Sequence, residues 1–239
     1  MEGIYSIKQA GHGDIWRMVK INEQTQLFEI IGAELEEKIE CYVIGGSAMM
    51  FYGAKEDTKD VDLVFLKNKD LEKVKEILKK ISFKDKKELV KIFRRYEDKK
   101  NRPIMMVGKE GERIELFFKE IITFEMSNSI VKRVTETHEF NNLLVKVVSP
   151  EDIILLKCAT EREKDRFDAL SLIEKFNINW NVIIEEAVNQ TRLESYLFPV
   201  YLYDFLEELK EDFKAEIPKE VLKEIRKISE DLLVKKLKK

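Results

Sequence analysis

The segment that decides the fold is CYVIGGSAMMFYGAKEDTKDVDLVFL, residues 41–66. It begins with an apolar run, passes through two glycines and a serine, and ends in a second apolar run that contains Asp60 and Asp62. Successive side chains of a β-strand point to opposite faces, so the two aspartates share one face and Val61 and Leu63 share the other. Two like charges this close persist inside a domain where a cation offsets them, and a divalent metal is the usual cation. The segment therefore predicts two strands joined through a turn and a short helix, with a carboxylate pair suited to a metal.

A third carboxylate of the same character is Glu115, which stands among apolar residues in the sequence RIELFF. Its surroundings, residues 103–118, have the pattern of a hairpin with two apolar strands around a GKEG turn. If this strand neighbours the strand of Asp60 and Asp62, three carboxylates converge on one patch. Oxygen ligands suit Mg²⁺ or Mn²⁺, and two such ions stabilise the attacking and leaving oxygens in phosphoryl transfer. We therefore expect Asp60, Asp62 and Glu115 to be catalytic metal ligands.

The turn before the aspartates predicts a phosphate-binding site. Gly45 and Gly46 allow the backbone to approach a phosphate closely, and the start of the following helix presents free N–H groups. Ser47 adds a hydroxyl donor at the same point. Taken alone, a Gly-Gly-Ser sequence also fits an ordinary turn, and an Asp-x-Asp strand also fits an exposed sheet edge. Together and in this order, the two features favour a nucleoside triphosphate site.

The sequence GGSAMMFYGAKEDTKDVDLVF, residues 45–65, resembles the signature of the nucleotidyltransferase superfamily, which has the DNA polymerase beta-like fold. The spacing is most similar to the AbiEii-type branch, which includes toxins of toxin–antitoxin and phage-abortive systems. The likeness is close over residues 40–66 and loose over residues 143–175. Glu115 stands where many members have Asp, and Thr58 stands where the branch often has Ser. The resemblance implies metal-dependent transfer of a nucleotide, with Thr58 in the nucleotide site.

A second motif of the branch resembles SPEDIILLKCATEREKDRFDALSLI, residues 149–173. The resemblance implies that Lys157 contacts the triphosphate and that Asp168 belongs to the nucleotide site. Lys157 lies in a helix that is apolar nearly all round, and a buried ammonium is costly unless it meets an anion. A structural ion pair with Asp165 or Asp168, or an extended side chain that reaches solvent, fits the same pattern. The two aspartates could orient Lys157 or accept a proton, or they could simply be the acidic first turn of an exposed helix.

The order of the patterns predicts an α+β protein, with the superfamily's mixed sheet and flanking helices followed by an all-helical C-terminal domain. We predict a catalytic domain at residues 1–145 and a helical bundle at residues 146–239. Predicted strands are 41–44, 61–66, two within 103–118, and 143–148, whereas 119–142 has no clear pattern. Predicted helices are 14–39, 47–53, 69–81, 151–161, 163–176, 179–189, 191–211 and 218–238. Ser149-Pro150-Glu151-Asp152 is a strong helix start, because serine caps, proline suits the first position and acids favour the positive end.

The composition excludes several classes of function. The 239 residues carry 43 Lys and Arg against 46 Asp and Glu, so no overall basic charge indicates nucleic-acid binding. No apolar run approaches about 20 residues, and the N-terminus lacks the layout of a signal peptide, so we expect a cytoplasmic protein with no membrane partner.

The charged fraction of 37%, rich in Lys and Glu, is typical of a thermophile. A kinase or P-loop ATPase is disfavoured because the chain has no Walker A sequence.

Other candidate residues have weaker patterns. The stretch FRRYEDKKNR, residues 93–102, could bind an RNA backbone and stack a base, although a solvated surface fits better. Cys41 and Cys158 have apolar neighbours and are expected to be buried reduced thiols. His12 and His138 have no partner at a recognisable spacing. The aromatic residues of 196–205 fit a helix-bundle core, with a dimer or partner surface as the second interpretation.

These patterns predict a Mg²⁺- or Mn²⁺-dependent enzyme that transfers an NMP from an NTP to a hydroxyl and releases pyrophosphate. The acceptor could be an RNA or tRNA end, a protein or a small molecule. The alternative is a toxin–antitoxin-type module that binds a nucleotide or a partner with little or no catalysis. Expected partners are a nucleoside triphosphate, and RNA or a cognate antitoxin, in a monomer or a homodimer formed through the C-terminal helices.

Overall fold

The computed structural model describes residues 17–86, 103–121, 123–160, 162–194 and 197–237. The helices in these ranges are α1 (Ile21–Glu34), α2 (Gly45–Phe51), α3 (Asn68–Lys80), α4 (Asn128–Arg133), α5 (Pro150–Cys158), α6 (Glu163–Lys175), α7 (Trp180–Glu194), α8 (Phe198–Glu211) and α9 (Lys219–Leu237). The strands are β1 (Val19–Lys20), β2 (Ile39–Val43), β3 (Asp57–Thr58), β4 (Asp60–Phe65), β5 (Lys84–Asp85), β6 (Ile104–Val107), β7 (Arg113–Phe118), β8 (Glu120–Ile121), β9 (Phe124–Glu125), β10 (Glu136–Phe140) and β11 (Leu143–Val147). The described chain is a mixed α and β protein, which confirms the predicted class.

Seven strands form one mixed sheet in the order β10-β11-β2-β4-β7-β6-β5. β11 pairs with β2 and β4 pairs with β7 in parallel, whereas the other neighbouring strands are antiparallel. Leu63, Val64 and Phe65 are consecutive in β4 and all fully buried, so both faces of the sheet are covered at this point. The Asp-x-Asp strand is therefore a central strand of the sheet.

The predicted start of the helical half is confirmed. Ser149 has extended backbone angles and its hydroxyl accepts a hydrogen bond from the backbone N–H of Asp152 at 3.2 Å. Pro150 occupies the first turn of α5, where its missing N–H costs no intrahelical hydrogen bond. Sequence rules for helix starts apply here because the cap is made by residues that are close together in the chain.

Two helix predictions are wrong in their extent. The helix predicted over 14–39 is α1, which begins at Ile21 because Val19 pairs with Thr58 in a two-stranded sheet before it; residues 14–16 lie outside the described part. The helix predicted over 191–211 is two helices, with α7 ending at Glu194 and α8 starting at Phe198 with a proline in its first turn. Periodicity missed both breaks, because an apolar spacing of three or four continues across them.

The segment 119–142, which has no clear pattern, holds the hairpin β8–β9, the helix α4 and the edge strand β10. Ser127 caps α4 by accepting a hydrogen bond from the backbone N–H of Ile130. These elements are short, with at most six residues each, so they span too little sequence to show a period.

The predicted domain boundary at 145/146 falls inside β11, and the helical half starts at Pro150. One contiguous hydrophobic core includes Val43 of the sheet, Ile154 of α5 and Leu202 of α8. The division into two domains stays a prediction. Among the described residues, no helix is long and apolar enough to cross a membrane.

Both cysteines are buried and free, as expected, and burial raises the pKa of each thiol. In α8, Phe198, Leu202 and Phe205 are buried, which agrees with a bundle core, whereas Tyr201 is exposed.

Candidate functional site

The parallel pairing of β4 with β7 brings the three predicted carboxylates to one face of the sheet. Asp62 lies directly opposite Glu115, and Asp60 lies opposite Arg113, two residues before Glu115. Alternation of side chains along each strand then places all three acids on the same face. The neighbourhood that the sequence analysis required is therefore present.

The Gly45-Gly46 turn lies against this face. Gly45 has φ +59°, and a Cβ atom there would come within 2.8 Å of Asp62 Oδ2. A Cβ atom on Gly46 would come within 2.5 Å of Thr58 Oγ1. Both contacts are closer than real Cβ atoms come to other atoms, so a larger residue at either position would have to displace the side chain of Asp62 or Thr58. Thr58 itself is buried, beneath the turn.

Ser47 does not lie where the sequence analysis placed it. Its side chain is fully buried, and its hydroxyl donates a hydrogen bond to the backbone carbonyl of Asp60 at 3.1 Å. It does not line the cavity that the other predicted residues share. Ser47 therefore holds α2 against β4, and its predicted contact with phosphate is not supported by its position.

That cavity has a volume of about 240 Å³ and lies between the sheet face and helices α5 and α6. The predicted residues that line it are Gly45, Gly46, Thr58, Asp60, Asp62, Glu115, Lys157 and Asp168. Two motifs that are almost 100 residues apart in the chain thus form opposite walls of one site.

Two of the three carboxyl groups, Asp62 and Glu115, have a raised pKa. Burial raises the pKa of Asp62 well above its usual range, and the charges of Glu115 and Asp60 raise it further. Burial and the charge of Asp60 also raise the pKa of Glu115. A face with this much uncompensated negative charge favours the binding of a cation.

Arg113 supplies part of the compensation. Its Nη2 forms an ion pair with Asp60 Oδ1 and lies 3.1 Å from Glu115 Oε1. Asp60 Oδ1 is buried. Although it is ion-paired with Arg113, it receives no well-directed hydrogen bond from any described residue. The sequence analysis missed Arg113, although its position two residues before Glu115 already implied a side chain on the same face.

The donor set fits a metal in its chemistry, because carboxylate oxygens are the ligands of Mg²⁺ and Mn²⁺. In the described ranges, however, no group of three or more His, Cys, Asp and Glu side chains has the spacing of a metal centre. The guanidinium of Arg113 contacts both Asp60 and Glu115, so it lies between two of the carboxylates that would share a metal. The acids are thus suited to a metal, but two of them, Asp60 and Glu115, are paired with a guanidinium in this arrangement.

The opposite wall is built around Lys157. Its Nζ lies 2.8 Å from Asp165 Oδ1 and 2.5 Å from Asp168 Oδ2, and the lysine side chain is only 7% exposed. Asp168 also forms an ion pair with Lys55. Burial opposes ionisation of Asp165, but Lys157 and a hydrogen bond from Thr160 outweigh it and lower its pKa to about 2. The ion pair that the sequence analysis considered is therefore present, with both aspartates, at the wall of the cavity.

Three more cations line the cavity that the sequence analysis did not assign. Lys55, Arg162 and Lys164 lie within the two motifs and line the cavity. Lysine and arginine are common on any protein surface, so the sequence alone did not mark these three as site residues. Burial and the neighbouring charge of Arg162 lower the pKa of Lys164, and Lys157 and Lys55 lower it further. Four cations close enough to repel one another form a site for a polyanion.

Three weaker candidates do not add to the site among the described residues. The stretch 93–102 and His12 are outside the described residues. His138 pairs with Glu136 at 2.7 Å and stacks on Phe51, and it does not line the cavity.

Residues 23–239 match the family described as nucleotidyl transferase of unknown function (DUF2204). The chain belongs to this family. No curated protein matches the sequence. Among solved structures, the chain is similar to an antigenic nucleotidyltransferase-like protein from Paracoccidioides brasiliensis, with a TM-score of 0.36 and 16% identity over 86% of this chain and 99% of that chain. This similarity is too low to transfer residues or activity.

Membership of the nucleotidyl transferase family agrees with the superfamily resemblance of residues 45–65. It does not bear on the AbiEii-type branch, on the acceptor or on a metal.

Proposed function

We propose that the protein is a metal-dependent nucleotidyltransferase. The observation that carries the proposal is the β4–β7 register, which sets Asp62 opposite Glu115 in a cavity whose far wall is cationic. One wall attracts a divalent ion and the other attracts a polyanion, and a nucleoside triphosphate with its metal supplies both charges. Membership of the nucleotidyl transferase family supports the same reaction.

Asp60, Asp62 and Glu115 would hold Mg²⁺ or Mn²⁺. When bound, the ion neutralises the carboxylates and withdraws electrons from the phosphoryl oxygens, which makes phosphorus more electrophilic. The three acids fix its position because each is held on a strand of the sheet.

The remaining residues of the cavity would hold the triphosphate. Gly45 and Gly46 present their backbone to the cavity, and Lys157, Lys55 and Arg162 supply positive charge. Asp168 orients both lysines through its two ion pairs. The acceptor oxygen then bonds to the α-phosphorus, the bond from that phosphorus to the bridging oxygen of pyrophosphate breaks, and the hydroxyl proton of the acceptor passes to solvent water.

The test is transfer of label from each of four α-³²P nucleoside triphosphates, with Mg²⁺ or Mn²⁺. RNA, protein and small-molecule fractions serve as acceptors. We expect labelled acceptor and pyrophosphate, and a loss of at least about a hundredfold in Asp60→Asn. Asp231→Asn, an exposed aspartate of α9, is the matched control and should transfer normally. Transfer undiminished in Asp60→Asn, or none with every nucleotide and acceptor class, overturns the proposal.

A second candidate function is a binding module of the toxin–antitoxin type, to which the AbiEii-like motif of residues 45–65 points. The pairing of Arg113 with Asp60 and Glu115 favours it, since carboxylates already paired with an arginine are less available to a catalytic metal, and such a site can bind a nucleotide without turnover. Calorimetry separates the two functions: nucleotide binding with no pyrophosphate release in any mixture supports the module. A cytoplasmic location, a thermophilic source and dimerisation through the C-terminal helices remain predictions.

A further inference from the structure

Arg113 is a charged residue of the cavity that lies outside both motifs. The strand register places it directly opposite Asp60, and alternation along β7 puts its side chain on the face of Glu115. Its position among the acids is therefore set by strand pairing, and no rearrangement of a loop is needed to bring it there.

The contacts of Arg113 are shielded from water. The exposed fractions of the side chains of Arg113, Asp60 and Glu115 are 18%, 18% and 17%. Pairs at this depth interact more strongly than exposed pairs, because less solvent screens them. Moving the guanidinium of Arg113 away from the carboxylates of Asp60 and Glu115 therefore costs free energy, unless the guanidinium pairs with another anion instead.

One guanidinium cannot balance three carboxylates. Asp62 lies opposite Glu115 in the neighbouring strand, and Arg113 is ion-paired with Asp60 and Glu115. The face keeps an excess of negative charge that attracts a divalent ion. Such an ion needs oxygens of Asp60 and Glu115 that the guanidinium already contacts.

We propose that Arg113 couples the binding of metal to the binding of nucleotide. The inference rests on the proposed function, because it takes the metal and triphosphate sites as given. Without nucleotide, the guanidinium competes with the divalent ion for Asp60 and Glu115 and keeps metal binding weak. A triphosphate offers the planar guanidinium anionic oxygens that it can bind through two hydrogen bonds, so it favours release of the carboxylates to the metal. The coupling is reciprocal: metal also strengthens nucleotide binding.

The direct test is Mn²⁺ affinity of the full chain without nucleotide, measured by electron paramagnetic resonance of the free ion. Arg113→Met keeps the length of the side chain but removes its charge, and we expect it to bind Mn²⁺ on the order of tenfold more tightly than wild type. Arg113→Lys keeps a cation and should stay near the wild-type affinity. Arg226→Met, which removes an exposed arginine of α9, is the control and should leave the affinity unchanged.

The second measurement is made on wild-type protein, so it does not depend on how a variant folds. With an α,β-methylene triphosphate of each base, and with binding of Mn²⁺ by the analogue alone subtracted, wild type should bind Mn²⁺ on the order of tenfold more tightly. In Arg113→Met this gain should largely vanish, and the analogue should bind more weakly. Circular dichroism establishes that the variant is folded.

The outcomes separate the two proposals. Equal or weaker Mn²⁺ binding by folded Arg113→Met, or no gain with any analogue in wild type, overturns the coupling and leaves the proposed function standing. If wild type and Arg113→Met both fail to bind Mn²⁺, or if Asp60→Asn binds it as wild type does, the metal centre is wrong and the coupling fails with it.

Discussion

Two clusters of ion pairs inside this protein are each built around one arginine, and they are balanced differently. In the structural cluster, Arg133 of α4 binds Asp152 of α5 at 2.6 Å and Glu186 of α7 at 2.8 Å. Glu186 also accepts hydrogen bonds from Ser127, Ser129, Asn189 and Gln190. Burial opposes its charge, but these hydrogen bonds and Arg133 lower its pKa to about 2.

The site cluster, made of Asp60, Asp62, Arg113 and Glu115, is less well compensated than the structural cluster, in which only one of the two acids, Asp152, has a pKa raised by burial. It holds three acids and one arginine, and burial raises the pKa of both Asp62 and Glu115. Asp60 Oδ1 lacks a well-directed hydrogen bond from the described residues.

The comparison distinguishes buried charges that stabilise the fold from buried charges that are available to a ligand. A buried charge whose donors are all in place stabilises the connection between helices, whereas a buried charge left short of donors is retained for a ligand. Both clusters are polar, mostly buried and centred on arginine, so residue type alone does not distinguish them.

The largest expected effect comes from removing the arginine of the structural cluster. Arg133→Met leaves Asp152 and Glu186 buried without their cation, so it should lower the free energy of unfolding by about 3–5 kcal/mol. Urea unfolding followed by circular dichroism measures it, with the exposed Arg226→Met as control. A loss below about 1 kcal/mol would mean that the structural cluster is not balanced by Arg133.

The next test uses pH. The folded pKa of Glu186 is about 2 against an ordinary 4.5, so its charge contributes stability that is present above pH 4.5 and lost as the pH falls towards 2. Glu186→Gln should therefore be less stable than wild type at pH 6, and the gap should narrow as the pH falls below 4.5. Urea unfolding of both proteins at a series of pH values checks it; a gap independent of pH would contradict the lowered pKa.

Removal of a charge from the site cluster should have the opposite sign. Asp62→Asn takes away a buried charge that Asp60 and Glu115 oppose, so in metal-free buffer it should raise the free energy of unfolding by about 0.5–2 kcal/mol while transfer activity is lost. Thermal unfolding with Asp231→Asn as control measures it. A destabilised Asp62→Asn would assign this carboxylate to the fold rather than to a ligand.

The smallest effect is expected at the rim of the cationic wall. Lys55 is 23% exposed and pairs with Asp168, so Lys55→Met should weaken binding of a triphosphate analogue by about threefold and leave stability nearly unchanged. Calorimetry of analogue binding checks it. A large loss of stability instead would show that Lys55 stabilises the fold through its ion pair with Asp168.

Much of the site was accessible from sequence because its chemistry is local. The turn at Gly45 and the alternation of Asp60 with Asp62 are contained in a few consecutive residues, where φ preferences and strand periodicity operate. The cap at Ser149 is local in the same way. Glu115 was found by its contrast with apolar neighbours, which needs no tertiary information.

The differences between prediction and structure have the opposite cause. The contact of Ser47 with phosphate stays a prediction, and the direction of its hydroxyl depends on how α2 packs against β4. The break between α7 and α8 and the elements of 119–142 depend on contacts between segments, or are too short to show a period. The structural cluster gave no signal, since its members come from three helices separated by tens of residues.

The amino-acid sequence by itself determined the strand–turn–helix–strand unit of residues 41–66, the identity of the three acids and the start of the helical half. Only the tertiary structure decided that Asp62 faces Glu115, that Arg113 stands between the acids, and that Lys157 comes from the far wall with Asp165 and Asp168 already bound. The physical reason is range: backbone preferences act over a few residues, whereas the electrostatic balance of a site depends on which distant charges the fold brings together.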